Sequence, residues 1–163
     1  PRLREELAKC GIALVVTQSL KKAPISASTR WISPDKAIIQ MSLRWAWTDI
    51  FWFSLFHEIG HILLDNKKDF NVDLLNEKID SEREKQIDTF VANMLIPPQR
   101  YKELIAEIDA VGSFDGIYDL VKSFAKRIGI HPGIIVGRLQ HDKKIRQDMN
   151  ITRVRFMWKK RNS

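Results

Sequence analysis

Apolar and polar positions repeat with two different periods in the first part of the chain. A helical spacing over 2–10 is followed by a β-branched run at 12–16, which predicts a short helix and then a strand. Two further apolar runs, at 29–32 and 36–41, flank a Ser-Pro-Asp turn sequence and predict two more strands. We expect these three strands to form a small antiparallel sheet.

Residues 51–65 carry apolar side chains on nearly every side of a helix, which is the pattern of a central, buried element. Thr48 or Asp49 is a suitable N-cap residue for this helix. Further helices follow, with capping residues, prolines and glycines at their ends. They cover 81–96, 99–108, 113–128 and 132–141, and weak alternation at 152–158 predicts a last strand. The pattern predicts an α+β fold, in which a small antiparallel sheet packs on the central helix and the C-terminal half is mainly helical.

Length and composition predict a single globular domain over residues 1–163. The chain is 44% hydrophobic and 29% charged, which is ordinary for such a domain. Its single cysteine, Cys10, excludes an internal disulfide framework, and it contains no apolar run of about 18 residues. We therefore expect a cytoplasmic protein without membrane contact. Because a helical pattern follows Pro1 directly, we also expect a fragment of a longer chain.

The chain is basic, with a net charge of +7. Much of the excess lies in a C-terminal set of cations: Lys143, Lys144, Arg146, Arg153, Arg155, Lys159, Lys160 and Arg161. Such a segment can contact nucleic acid or an acidic partner, and it can equally be a solvated face. The charge alone leaves both interpretations open.

The central helix carries the sequence His-Glu-Ile-Gly-His, an HExxH pattern. His57 and His61 are four residues apart and therefore share one face of a helix, so that both imidazoles can reach the same metal ion. Glu58 lies beside that face, where a carboxylate can take a proton from water. A catalytic zinc ion usually has a third protein ligand. Asp65, one turn after His61, is one candidate for it.

The predicted helix over 81–96 offers further candidates for the third ligand. It has four side chains with suitable oxygens: Glu82, Glu84, Gln86 and Asp88. We place the centre of its apolar stripe between Phe90 and Val91. On that placement Gln86 or Glu82 is favoured as the third ligand. Glu84 and Asp88 lie nearer the opposite edge of the apolar stripe.

Two stretches of the chain resemble the ImmA/IrrE family of zinc metallopeptidases. These are His-Glu-Ile-Gly-His-Ile-Leu-Leu at 57–64 and Asp-Thr-Phe-Val-Ala-Asn-Met-Leu-Ile-Pro at 88–97. Later stretches, at 128–133 and 136–141, resemble the C-terminal half of that domain as found in HigA-type antitoxin regulators. The resemblance extends over residues 3–158, nearly the whole chain.

The resemblance implies a minimal zincin-like domain, with Zn²⁺ bound by His57 and His61 and with Glu58 as general base. In the family the second helix reads Glu-Ala-Asp/Asn-x-Phe-Ala, and its Glu is the third zinc ligand. The matching position here holds Gln86, whose neutral amide oxygen is a weaker ligand than a carboxylate. Glu82 is the substitute that the sequence offers.

The resemblance implies a zinc-dependent endopeptidase that acts on a partner regulatory protein such as a repressor. As the family architecture suggests, residues 38–42 would present a strand edge to the peptide. The reaction also needs an oxyanion stabiliser, for which Tyr101, His131 and Arg138 are candidates, although such residues more often have structural roles. An upstream helix-turn-helix domain would bind DNA. The alternative, favoured by Gln86, is a catalytically weak or inactive regulatory domain of an antitoxin-like transcription factor.

Overall fold

The computed structural model of the protein describes residues 2–17, 27–42, 47–65, 81–111, 113–146 and 148–149. It is an α+β structure that is mostly helical. In chain order its elements are α1 (Arg2–Lys9), β1 (Ile12–Thr17), β2 (Ala27–Ser33), β3 (Lys36–Ser42), α2 (Thr48–Leu64), α3 (Ser81–Leu95), α4 (Pro98–Asp109), α5 (Phe114–Ile128) and α6 (Pro132–His141). The predicted elements up to residue 141 are confirmed to within three residues at each end. The predicted strand at 152–158 lies outside the described residues.

The three strands form a mixed sheet, so the prediction of an antiparallel sheet is wrong. The strand order is β1-β3-β2. β2 and β3 pair antiparallel, as the turn sequence between them requires, but β1 pairs parallel with β3, from Ile12 opposite Ala37 to Thr17 opposite Ser42. The sequence predicted no strand order, and in the structure β3 lies between the other two strands.

The central position of β3 follows from its side chains. Ala37, Ile39 and Met41 alternate along one face and are no more than 1% exposed. The strand with the most completely buried face gains most by being paired on both edges, since this removes all its backbone groups from water. The prediction that residues 38–42 present a free edge is therefore wrong, because both edges of β3 are paired.

The chain divides into two compact units. Unit 1 contains α1, the sheet, α2 from Phe53 onward and α3 as far as Val91, and unit 2 comprises Ala46–Trp52 and Ala92–Ser163. Unit 2 has its own apolar core, which includes Leu104, Phe124 and Ile135. That residues 1–163 act as one domain stays a prediction.

Local signals define the helices of unit 2 as the sequence indicated. The Ser113 hydroxyl accepts a hydrogen bond from the Gly116 amide at the start of α5, and Gly129 ends α5 in the left-handed conformation with φ of 74°. Pro132 begins α6, and the ring of His131 accepts a hydrogen bond from the Gly133 amide. No helix in the described part of the chain is long and apolar enough to cross a membrane.

Candidate metal centre

The two histidines of α2 lie side by side, as the HExxH spacing predicts. His57 Nε2 and His61 Nε2 are 3.0 Å apart. One helical turn separates the two residues, so their rings project from the same face. Two imidazole lone pairs at this distance repel each other unless a proton or a metal cation lies between them. The pair is therefore suited to hold a cation.

Glu84 of α3 supplies an anionic group to the same point. Its carboxylate oxygens lie 3.1 Å from His57 Nε2 and 3.5 Å from His61 Nε2. His57, His61 and Glu84 each offer one ligand atom, and these three atoms all lie within 4.8 Å of one another. Two imidazoles and a carboxylate are a ligand set that zinc takes in catalytic sites. The cluster can hold a metal ion.

The side chains favoured as third ligand by sequence reasoning lie elsewhere. Gln86 is exposed, and its Oε1 accepts a hydrogen bond of 3.2 Å from Arg83. The Glu82 side chain is 73% exposed and lies 3.6 Å from Lys85 Nζ. That Gln86 or Glu82 binds the metal is still only a prediction. The geometry places Glu84 beside the histidines instead.

Sequence reasoning placed Glu84 and Asp88 near the wrong edge of α3 because it centred the apolar stripe on the wrong residues. The fully buried positions are Ile87 and Val91, both 0% exposed, while Phe90 is only half-buried. Glu84, Asp88 and Val91 follow the spacing i, i+4, i+7 and so share a face. Gln86 lies about 100° round the helix from Ile87. The four-residue spacing of the two aliphatic positions was the signal that could have identified Glu84.

A glycine allows α2 and α3 to approach closely enough for Glu84 to reach the histidines. A Cβ atom at Gly60 would lie 2.9 Å from Ile87 Cγ2 and 3.5 Å from Val91 Cγ2. Gly60 lies just before His61, and Ile87 lies one turn after Glu84. The contact between these two helices therefore sets the distance between the imidazoles and the carboxylate.

Each imidazole has a second carboxylate on its other nitrogen. Asp88 Oδ1 lies 2.8 Å from His57 Nδ1, and Asp65 Oδ2 lies 2.6 Å from His61 Nδ1. A carboxylate that accepts the Nδ1–H proton fixes the tautomer whose Nε2 lone pair is free for a metal. Asp65, which the sequence also offered as a ligand, lies in this supporting position and not beside the Nε2 atoms.

Glu58 is a buried carboxylate on the same helix. It is 7% exposed, and the Thr29 hydroxyl of β2 donates a hydrogen bond of 2.5 Å to its Oε2. Burial raises the pKa of Glu58, and the Thr29 hydrogen bond and the two histidines oppose that rise. The raised pKa brings this carboxylate closer to the range in which it can exchange protons near neutral pH. No local signal indicated Thr29, because its contact with Glu58 joins residues 29 positions apart.

The three predicted oxyanion stabilisers have contacts within unit 2. The Tyr101 hydroxyl donates a hydrogen bond of 2.6 Å to Asp142, and the Arg138 guanidinium both pairs with Asp142 at 2.7 Å and stacks on the Tyr101 ring. Burial alone would raise the pKa of Asp142, but the hydrogen bonds from Arg138 and Tyr101, with one from His141, lower it to about 2. These contacts, together with the capping role of His131, are structural. An oxyanion role for Tyr101, Arg138 or His131 stays a prediction.

The segment that contains the metal cluster matches a known protein family. Residues 49–112 match the model of the IrrE N-terminal-like domain, a peptidase family numbered M78. The matched residues include His57, His61 and Glu84. No curated protein matches the chain.

Proposed function

Residues 49–112 match a domain of the ImmA/IrrE family, and on this premise we propose that the chain is a zinc-dependent endopeptidase. The observation that carries the proposal is the convergence of His57, His61 and Glu84 on one point, with Glu58 on the same helix. The carboxylates behind both imidazoles support it, since metal-binding histidines are usually held in this way.

We assign the metal to His57, His61 and Glu84. This set differs from the sequence-based assignment, because Glu84 provides the anion that Gln86 cannot. When bound, Zn²⁺ would supply Lewis acidity toward water and toward the carbonyl of the scissile peptide bond. Asp88 and Asp65 would hold the two rings in the required tautomer and orientation.

Glu58 is the general base of the proposed reaction. Its carboxylate would take a proton from the attacking water and pass it to the amine that leaves. The hydrogen bond from Thr29 fixes Oε2, so that the other oxygen, Oε1, is the one we assign to proton transfer. The raised pKa of Glu58 favours this transfer, because a base with too low a pKa holds the proton too weakly.

We propose that the substrate binds as an extended strand along β2. Among the described strands β2 is paired on one edge only, and it carries Thr29, which contacts the general base. An extended peptide can add to such an edge through main-chain hydrogen bonds. The family resemblance further suggests that the substrate is a partner regulatory protein such as a repressor.

The alternative function, a catalytically inactive regulatory domain of an antitoxin-like transcription factor, rested on Gln86. Its argument was that an amide at the ligand position weakens metal binding. Glu84 removes that argument, because a carboxylate is present beside the imidazoles whatever residue occupies position 86. We therefore favour the peptidase.

Zinc binding by four proteins tests the assignment: the wild type, Glu84→Gln, Gln86→Ala and Glu82→Ala. We expect about one zinc ion per chain in the wild type and an affinity lower by at least about tenfold in Glu84→Gln, because an anionic ligand is replaced by a neutral one. Gln86→Ala and Glu82→Ala, on the same helix, serve as matched controls and should bind like the wild type. Loss of zinc in Gln86→Ala but not in Glu84→Gln would show that the sequence-based assignment was right.

A further inference from the structure

We propose that Arg83 is a positioning residue for the metal centre, acting through Asp65 on the ligand His61. This inference rests on the proposed function, since it concerns how the same site is held. The proposed effect passes through Asp65, whose carboxylate contacts both Arg83 and His61.

Two consecutive contacts, from Arg83 to Asp65 and from Asp65 to His61, carry the inference. Arg83 Nε donates a hydrogen bond of 2.6 Å to Asp65 Oδ1, and the other oxygen of Asp65 lies 2.6 Å from His61 Nδ1. The Asp65 side chain is only 14% exposed, so water competes weakly for these bonds. Each carboxylate oxygen thus has its own partner, which fixes the rotation of the Asp65 carboxylate and with it the direction of the His61 ring.

Arg83 also fixes the two helix ends that carry the site. A second guanidinium nitrogen, Nη2, donates to the carbonyl oxygen of Leu64, at the last residue of α2. The third, Nη1, donates to Gln86 Oε1 at 3.2 Å, one turn further along α3. The planar guanidinium can make these bonds at once, which a lysine ammonium cannot do with the same geometry. This last bond is long and exposed, so Gln86 contributes little to the orientation of Arg83 and remains a suitable control position.

The sign of the effect separates positioning from plain electrostatics. Removing a cation near a metal site lowers the repulsion on the incoming ion, so charge alone predicts tighter zinc binding after Arg83 is replaced. Positioning predicts the opposite, because Asp65 is then free to turn and His61 loses its fixed orientation. Changes to such supporting groups typically cost 10- to 100-fold in metal affinity, that is, roughly one to two orders of magnitude.

Zinc affinity of Arg83→Met, Arg83→Lys and Lys85→Met tests this. Lys85 is a matched control, since it is a cation on the same turn of α3 whose described ion pair is with Glu82 and not with Asp65. We expect Arg83→Met to bind zinc at least about tenfold more weakly, Arg83→Lys to be weakened less but in the same direction, and Lys85→Met to bind as tightly as the wild type or slightly more tightly. Arg83→Lys keeps the charge and carries the test if Arg83→Met does not fold.

A second measurement needs no metal. The ¹⁵N chemical shifts of the His61 ring in the metal-free protein report which nitrogen carries the proton. We expect the Nδ1–H form to dominate in the wild type and in Lys85→Met, and its population to fall in both Arg83 variants. Wild-type zinc affinity, or an unchanged tautomer population, in both Arg83 variants would overturn the inference. Failure of the wild type to bind zinc would instead refute the proposed function, and the metal-free tautomer would still decide the role of Arg83.

Discussion

The close contact between α2 and α3 at Gly60 makes a quantitative prediction about the metal centre. Replacing Gly60 by alanine places a methyl group 2.9 Å from Ile87 Cγ2. Ordinary carbon–carbon contacts are about 3.5–4.0 Å, so the two helices must separate by roughly 0.6 Å or more. Ile87 cannot easily turn away, because its side chain is fully buried. The displacement is therefore transmitted to the backbone of α3.

This separation of α2 and α3 should have a large effect on zinc affinity and a small effect on the free energy of unfolding. Ligand distances in metal sites are defined to within about 0.2 Å, so we expect zinc affinity to fall by about tenfold or more in Gly60→Ala. Overpacking a core costs about 1–3 kcal/mol, while alanine in place of glycine inside a helix gains about 1 kcal/mol. The free energy of unfolding of the metal-free protein should therefore fall by no more than about 2 kcal/mol.

Two measurements on the same preparations separate these effects: zinc titration against a chromophoric chelator, and urea unfolding of the metal-free protein. Gly137→Ala is the matched control, because a Cβ atom at this glycine of α6 would lie 3.2 Å from Asp49, and neither residue belongs to the metal cluster. Gly137→Ala should change stability and leave zinc affinity unchanged. If Gly60→Ala binds zinc like the wild type, the helix contact does not set the geometry of the site.

Two further predictions concern single carboxylates. Glu58→Gln should abolish peptide cleavage, because the general base is lost. Zinc affinity should stay within a factor of about three of the wild type, because all three proposed ligands remain. Loss of zinc together with activity would argue against the role of Glu58 as base. For Asp142, the folded-state pKa of about 2 lies below the ordinary value of 3.8, so its charged form stabilises the fold above pH 3.8 and this contribution is lost as the pH falls toward 2. Asp142→Asn should therefore be less stable than the wild type at pH 6 by about 2 kcal/mol, and urea unfolding should show this difference shrinking toward pH 2; a difference that is the same at both pH values would contradict the assignment.

Helix positions could be predicted from the sequence because their signals are local. The end of α5 depends on a glycine that adopts a positive φ, and its start depends on a serine that bonds to the amide three residues later. Both signals lie within one turn of the helix end they define. The strand order was not predictable in the same way. It depends on which strand buries its side chains most completely, and that is decided by the whole unit rather than by any one strand.

The site residues differ in the same way: some are indicated by neighbouring residues in the sequence, and others depend on residues far away in the sequence. His57 and His61 were identified because their spacing alone puts them on one face of α2. Glu84 was assigned to the wrong edge of α3, because its position depends on which aliphatic residues face α2. The sequence placed the centre of the apolar stripe between Phe90 and Val91, whereas Ile87 and Val91 are the fully buried pair. Thr29 and Arg83 had no local signal, since their partners lie 29 and 18 positions away in sequence.

The number of ligands and the burial of Glu58 together favour a hydrolase over a domain that binds metal only for structure. Structural zinc sites almost always use four protein ligands, whereas catalytic sites use three and keep one position open. The cluster in the described part of the chain has three. A structural site would also gain nothing from Glu58, because its burial opposes the charged form and none of the three ligand positions requires it. A buried carboxylate that accepts a hydrogen bond from Thr29 and lies on the same helix as His57 and His61 fits the proposed activation of water, which is why we expect the loss of Glu58 to remove activity and not metal.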